Sequence, residues 1–238
     1  MEEDNEGRLR RAFTGIGKNL ARDSSALQTN NKENILEHPK PFRTTDFTFN
    51  SDYHELITQG QTSLLRLARL SQTQRQRALL LTYLNALDKE HGVMEFGRST
   101  SFYGQEGLNY RYSGRDHIAL PMGSVISYYH QLILRLAKHY NLGHESYNHI
   151  LLNRYEQGQE LNPHKDNEPE LEGGIFSLSF GTEGLFSYGL NKPILGGTTL
   201  RHGDILFGNQ AFFKNYFHGA KSLKAGTRFN LTFRTLNT

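Results

Sequence analysis

The chain has no cysteine in 238 residues. Disulfides, thiolate metal sites and thiol nucleophiles are therefore excluded, and a reducing compartment is permitted. No apolar run approaches the roughly 18 residues of a membrane-spanning helix. The opening Met1-Glu2-Glu3-Asp4 is acidic and lacks the basic start of a signal peptide. There is no internal repeat and no basic tail. These absences lead us to expect a soluble intracellular monomer, cytoplasmic or nuclear, with no membrane partner.

Charge is modest. The net charge is +3, with a pI near 9.0. Residues 1–50 hold eight basic and eight acidic side chains, so the excess lies in residues 51–238, with 19 basic against 16 acidic. This balance is compatible with a polyanionic partner, and equally with an ordinary soluble protein.

Three regions differ in pattern. Residues 1–45 are rich in Asn, Ser, Gly and charge without sustained apolar periodicity, and disorder is expected there. From 46 to 92 the spacing of Leu64, Leu67 and Ala68, then of Leu80, Tyr83, Leu84 and Leu87, predicts a helical extension that ends at His91-Gly92. Another helix is predicted over 124–140, with Ile126, Tyr129, Ile133 and Leu136 on one face. Beyond Tyr147 the chain turns to short β-rich runs separated by glycine-containing turns. Helices first and strands later predict an α+β fold, a double-stranded β-helix (jelly roll) with N-terminal helices packed on one sheet. The main domain is placed at 93–238.

Within the β-rich part, His164 and Asp166 are spaced i, i+2, which on a strand points both side chains to one face. His218 follows on a later predicted strand. Two imidazoles and one carboxylate can hold Fe(II) on one face of an octahedron and leave three positions open. Each residue alone is an ordinary surface or hydrogen-bonded side chain. Their conjunction with a downstream arginine strand raises the metal reading.

That strand alternates Arg228, Asn230, Thr232 and Arg234 with Phe229, Leu231 and Phe233. One solvated face is the plainer reading of the alternation. If the polar face is instead inside a barrel, its guanidinium groups need an anionic partner. A dicarboxylate such as 2-oxoglutarate would provide one, because arginine matches a carboxylate with two parallel hydrogen bonds. Asn153-Arg154-Tyr155, at the end of another predicted strand, offers further polar contacts.

Together these residues resemble the AlkB family of Fe(II)/2-oxoglutarate-dependent nucleic-acid demethylases. The landmarks cover about residues 93–236 and are Phe102-Tyr103-Gly104, Tyr110-Arg111-Tyr112-Ser113-Gly114, Asn153-Arg154-Tyr155, His164-Lys165-Asp166-Asn167-Glu168-Pro169, Ser177 to Gly181, His202-Gly203-Asp204, His218 and Arg228 to Arg234. The resemblance implies that His164, Asp166 and His218 bind iron. It implies that Arg228 pairs with the distal carboxylate of 2-oxoglutarate, with Asn153, Tyr155 and Asn230 adding hydrogen bonds. Arg234 would lie near the chelating end and the substrate, and Tyr110, Tyr112 and Glu168 would hold the damaged base. The implied reaction is oxidative demethylation of N1-methyladenine and N3-methylcytosine in DNA or RNA, using O₂ and releasing formaldehyde.

Two departures stand out. The segment from Gly92 to Tyr103 is shorter than the hairpin with which the duplex-repairing homologue enters the base stack, so single strands are the expected partner. Residues before Val93 match no part of the family pattern. Two other readings stay open at this point. One is the same chemistry on a protein or lipid, and the other is a non-catalytic nucleic-acid-binding module.

Overall fold

A computed structural model describes residues 49–50, 54–112, 115–143, 146–194 and 196–237, except that the side chains of residues 49–50, 111, 112 and 115 lie outside the description. The expectation for residues 1–45 falls outside these residues.

Two sheets and two long helices organise the described residues. The strands, in chain order, are β1 (Phe49–Asn50), β2 (His54–Gln59), β3 (Thr62–Leu70), β4 (Val93–Glu95), β5 (Arg98–Gly104), β6 (Asn109–Tyr112), β7 (Arg115–Ile118), β8 (Leu120–Pro121), β9 (His149–Tyr155), β10 (Glu160–His164), β11 (Leu171–Gly181), β12 (Gly184–Gly189), β13 (Gly196–Leu200), β14 (Asp204–Gly208), β15 (Phe217–Ser222) and β16 (Arg228–Leu236). The helices are α1 (Gln74–His91), α2 (Ser124–His139) and the short α3 (Gln210–Asn215). The large sheet runs β1-β3-β14-β11-β16-β9-β5-β4, with β2 added beside β3 and β8 beside β5. The smaller sheet runs β10-β15-β12-β13, and β6–β7 forms a separate hairpin. This is the expected jelly roll with helices on one sheet.

Period-2 alternation decides what each face of the large sheet does. Phe229, Leu231 and Phe233 of β16, Ile150 and Leu152 of β9, and Phe176, Leu178 and Phe180 of β11 point to the helix side. There they pack with Leu80 and Leu84 of α1 and with Ile126, Tyr129, Ile133 and Leu136 of α2. Fully burying each such side chain contributes about 1.5–3 kcal/mol, so this layer supplies much of the stability. α1 starts where Thr73 and Gln76 form a reciprocal cap, the Gln76 N–H donating to Thr73 Oγ1 at 3.2 Å and the Thr73 N–H to Gln76 Oε1 at 2.9 Å. It stops at Gly92, as expected. The odd-numbered residues of β9 and the even-numbered residues of β16 face the smaller sheet, across the interior of the roll.

One expectation is corrected. Residues 54–70 form a β-hairpin, so a helical extension over 46–92 is replaced by strands β2 and β3 followed by one helix. β3 pairs with β14, but the register shifts: Ala68 faces Ile205 while Arg66 faces Leu206, which leaves Leu67 as an extra residue. Such a bulge turns two successive side chains to the same face. Leu65, Leu67, Ala68 and Leu70 all join the helix-side core. The bulge thus imitates helical spacing in a strand.

Candidate active site

The smaller sheet brings the two histidines together. His164 ends β10 and His218 sits in β15, and they are cross-strand partners in the antiparallel register. Their rings lie 4.4 Å apart between centroids. Asp166 follows the end of β10, so it does not continue the strand as its i, i+2 spacing suggested. Its N–H instead donates to the carbonyl of Phe213 in α3 at 3.1 Å, which turns the carboxylate back toward the rings. His164 Nε2 is 3.4 Å from Asp166 Oδ1, and His218 Nε2 is 3.7 Å from Asp166 Oδ2. One ligand atom from each residue lies within 4.8 Å of the others.

The donor set fits a divalent iron. His164 Nδ1 meets the carbonyl of Asn162 at 2.9 Å, which leaves Nε2 for a metal. His218 is packed by Phe186, Phe212 and Phe213. Burial lowers its pKa to about 4, against the partial compensation of Asp166, so the ring is neutral and able to ligate. Burial works against a charge on Asp166, but Arg234 beside it, with His164 and His218, holds the carboxyl well below the usual carboxylate range.

The polar face of β16 is buried, which removes the solvated-face reading. Arg228 is 2% exposed, Asn230 6% and Arg234 7%. Arg234 Nη2 donates to Asp166 Oδ2 at 3.2 Å. Arg228 Nη2 donates to Ser179 Oγ at 3.1 Å, and its guanidinium lies 5.2 Å from the centre of the Tyr155 ring. Its Nε and Nη1 are buried without hydrogen-bond partners among the described residues. Burial pushes its pKa down, opposed by Tyr155. A buried guanidinium with two unmet donors is costly unless an anion arrives, and a carboxylate of a dicarboxylic acid matches it. Gly184 makes room for this arginine, since a Cβ there would lie 2.5 Å from Arg228 Nε.

Asn153 and Tyr155 are buried on β9 directly opposite Asn230 and Arg228. Arg154 points the other way, with its Nε 3.5 Å from Asp88 of α1. Glu168 is half-buried, with Oε2 lacking a hydrogen-bond partner. Burial is the chief cause of its raised pKa. Tyr110 is buried in a cluster with Phe102, Leu151, Leu171 and Leu236 at the mouth of the roll. The side chain of Tyr112 lies outside the described residues. His202 and Asp204 are structural. The Gly181 N–H donates to His202 Nδ1 at 3.0 Å, and Asp204 pairs with Arg69 at 2.5 Å.

Two interior residues escaped the reading of the sequence. Arg98 of β5 is 2% exposed, and its Nε donates to Asn153 Oδ1 at 2.6 Å. His149 of β9 is 1% exposed and has no hydrogen-bond partner on either ring nitrogen. Its ring is 4.9 Å from that of Tyr110 and 5.2 Å from that of Phe102. The signal was available in the alternation of His149, Asn153 and Tyr155, which share a face.

A family model described as the 2OG-Fe(II) oxygenase superfamily matches residues 53–234. The chain belongs to that superfamily. Within the superfamily its likeness is to AlkB. It is 38% identical over 96 residues to the alpha-ketoglutarate-dependent dioxygenase AlkB of Escherichia coli (strain K12), and equally to that of Salmonella typhimurium. Each alignment covers 35% of this chain and 43% of the relative, so the chain matches less than half the length of these enzymes. Among solved structures, "The structure of OsALKBH1" superposes with a TM-score of 0.57 at 17% identity, covering 76% of this chain and 100% of that one. That likeness concerns the fold.

Proposed function

We propose that this enzyme removes methyl groups from N-alkylated bases, N1-methyladenine and N3-methylcytosine, in single-stranded DNA or RNA. The observation that carries the reading is Glu168, a half-buried carboxylate with an unpartnered oxygen two residues from an iron ligand. These lesions are cationic, and a desolvated carboxylate favours a cation over a neutral base. The AlkB likeness supports the same substrate class.

Bound iron with 2-oxoglutarate and O₂ supplies the oxidising power to hydroxylate an N-methyl carbon. The balance is N–CH₃ plus 2-oxoglutarate plus O₂ giving N–H, formaldehyde, succinate and CO₂. The chain's own contribution is placement. Arg228 takes the distal carboxylate of 2-oxoglutarate, and Asn153, Tyr155 and Asn230 hydrogen-bond the same molecule. His164, Asp166 and His218 hold the metal, and Arg234 keeps Asp166 ionised and oriented. Tyr110, Tyr112 and Glu168 hold the base, and the apolar cluster around Tyr110 keeps water from it.

Single strands follow from the short β4–β5 hairpin, whose tip is only Phe96-Gly97. One observation favours a second reading, in which the hairpin opens a duplex. Val93, Met94 and Phe96 are 54%, 64% and 56% exposed, and Phe96 has φ of +47°, a region that costs a side-chain-bearing residue about 1–2 kcal/mol. Apolar wedges of this kind enter base steps.

The test is formaldehyde release from single-stranded and duplex oligonucleotides bearing either lesion, with His164→Ala and Asp166→Ala as controls. Release from single strands, lost in both variants, is expected. Equal or faster release from duplex would replace the single-strand preference with the hairpin reading. Succinate without formaldehyde would mean a different substrate for the same iron chemistry, and no succinate would sink catalysis altogether.

A further inference from the structure

Three strand ends meet at one rim of the smaller sheet. β10 ends at His164, β15 begins at Phe217, and β12 ends at Gly189, with His164 and Tyr188 both opposite His218 and Gly189 opposite Phe217. Two lysines converge here on one half-buried aromatic ring. Lys165 Nζ lies 4.6 Å from the centre of Phe217, and Lys192 Nζ lies 4.7 Å from it. Neither lysine has a carboxylate partner among the described residues. The stretch between Glu183 and Asp204 contains no acidic side chain at all. Elsewhere on this sheet Lys221 does find one, Glu160, at 3.0 Å. The ring offsets part of the repulsion between the ammonium groups, at about 0.5–1 kcal/mol per exposed cation–π contact, but it neutralises neither charge.

An open groove of about 650 Å³ adjoins this pair. Its walls include Tyr188, Leu190, Asn191 and Pro193 from the end of β12 and the loop after it, Tyr216 between α3 and β15, and Ile57 from β2. Leu190 is 53% exposed there. The groove is mostly apolar and carries two tyrosine rings, and Asn191 and Pro193 in its wall are the chain neighbours of Lys192. The iron ligand His164 immediately precedes Lys165, and His218 immediately follows Phe217.

We propose that this rim holds the nucleotide that neighbours the reacting one, with its phosphodiester between Lys165 and Lys192 and its base in the groove against Tyr188 and Tyr216. The inference rests on the nucleic-acid reading above and adds to it a second anchoring point. Two ammonium groups at the ring match one shared phosphodiester charge, and aromatic walls accept any base because every base presents a π-face. The strand then crosses the rim of the smaller sheet on its way past the metal.

The test is the salt dependence of binding to a single-stranded oligonucleotide carrying one N1-methyladenine, measured by fluorescence anisotropy without oxygen. In the Lys165→Gln/Lys192→Gln double variant, the slope of log K against log salt should become shallower by about 0.7 for each phosphate no longer neutralised. The Lys165→Arg/Lys192→Arg variant should keep the wild-type slope. Replacing a single linkage next to the lesion by a neutral methylphosphonate should weaken wild type and leave the Gln variant unmoved. Leu190→Glu, exposed and outside the core, should weaken binding several-fold. If wild type binds and the Gln variant keeps the same slope, the rim is not a phosphate site, and the demethylase reading stands untouched. If wild type binds no oligonucleotide, both the rim and the nucleic-acid substrate are overturned.

Discussion

The two faces of β16 are buried alike and built from opposite chemistry. On the helix side Phe229, Leu231 and Phe233 are at most 1% exposed. On the interior side Arg228, Asn230 and Arg234 are at most 7% exposed, and two donors of Arg228 have no partner. One face is close-packed and complete. The other is a set of oriented polar groups, and the proposed function gives them a metal and a dicarboxylate as partners. A residue on the first face acts mainly on stability, and a residue on the second mainly on function, at some cost to stability.

The strongest way to break this comparison is to truncate the packed face. Phe229→Ala should destabilise the protein by about 3–5 kcal/mol, read as a shift in the urea midpoint with little change in slope. A loss below about 1 kcal/mol would mean that the helix-side layer is not a packed core.

Substitution on the interior face should have the opposite sign. Arg228→Met removes a buried guanidinium that has no carboxylate partner among the described residues, and because a desolvated charge with unmet donors is costly, the exchange should be neutral or stabilising. The same variant should need far more 2-oxoglutarate to reach half-maximal succinate release, while its turnover at saturation changes less. A destabilised Arg228→Met with an unaltered 2-oxoglutarate requirement would show that the arginine is a structural group.

The smallest effect at neutral pH belongs to His149. Burial first, then the charges of Arg234 and His117, lowers its pKa from the ordinary 6.5 to about 3. The unfolded chain binds this proton in that interval and the folded chain does not. Stability due to the neutral ring is therefore complete above about pH 6.5 and falls as pH drops toward 3, by up to about 1.4 kcal/mol per pH unit. His149→Phe, at a position facing Arg234, His117 and Tyr110, should flatten that slope by close to one proton. Urea titrations at several pH values that superpose for wild type and variant would contradict it.

Legibility followed periodicity. The arginine strand could be read because an alternation of charge and aromatic has period 2 whatever surrounds it. α2 could be read because its apolar face is unbroken. β3 misled because a bulge added one residue and changed the apparent period. The candidate metal ligands His164 and His218 were legible as residue types, but their meeting depends on the register of β10 with β15. Asp166 turns toward them through a backbone hydrogen bond to Phe213, a partner remote in sequence. His149 was passed over although it alternates with Asn153 and Tyr155 on one face, and Arg98 because its burial inside the roll leaves no local mark.

The sequence by itself determined the donor set, the alternation on β16, the absence of thiol chemistry, the helices near 74–91 and 124–139 and the β-rich part beyond residue 147, because these depend on residue type and spacing along one segment. Tertiary structure alone decided that the polar face of β16 is interior, that Arg228 has no carboxylate partner among the described residues, that residues 54–70 join the large sheet, and that two lysines share the ring of Phe217. Each of these depends on which segments meet across the two sheets. Burial and pairing are properties of that meeting, and no single stretch of chain contains them.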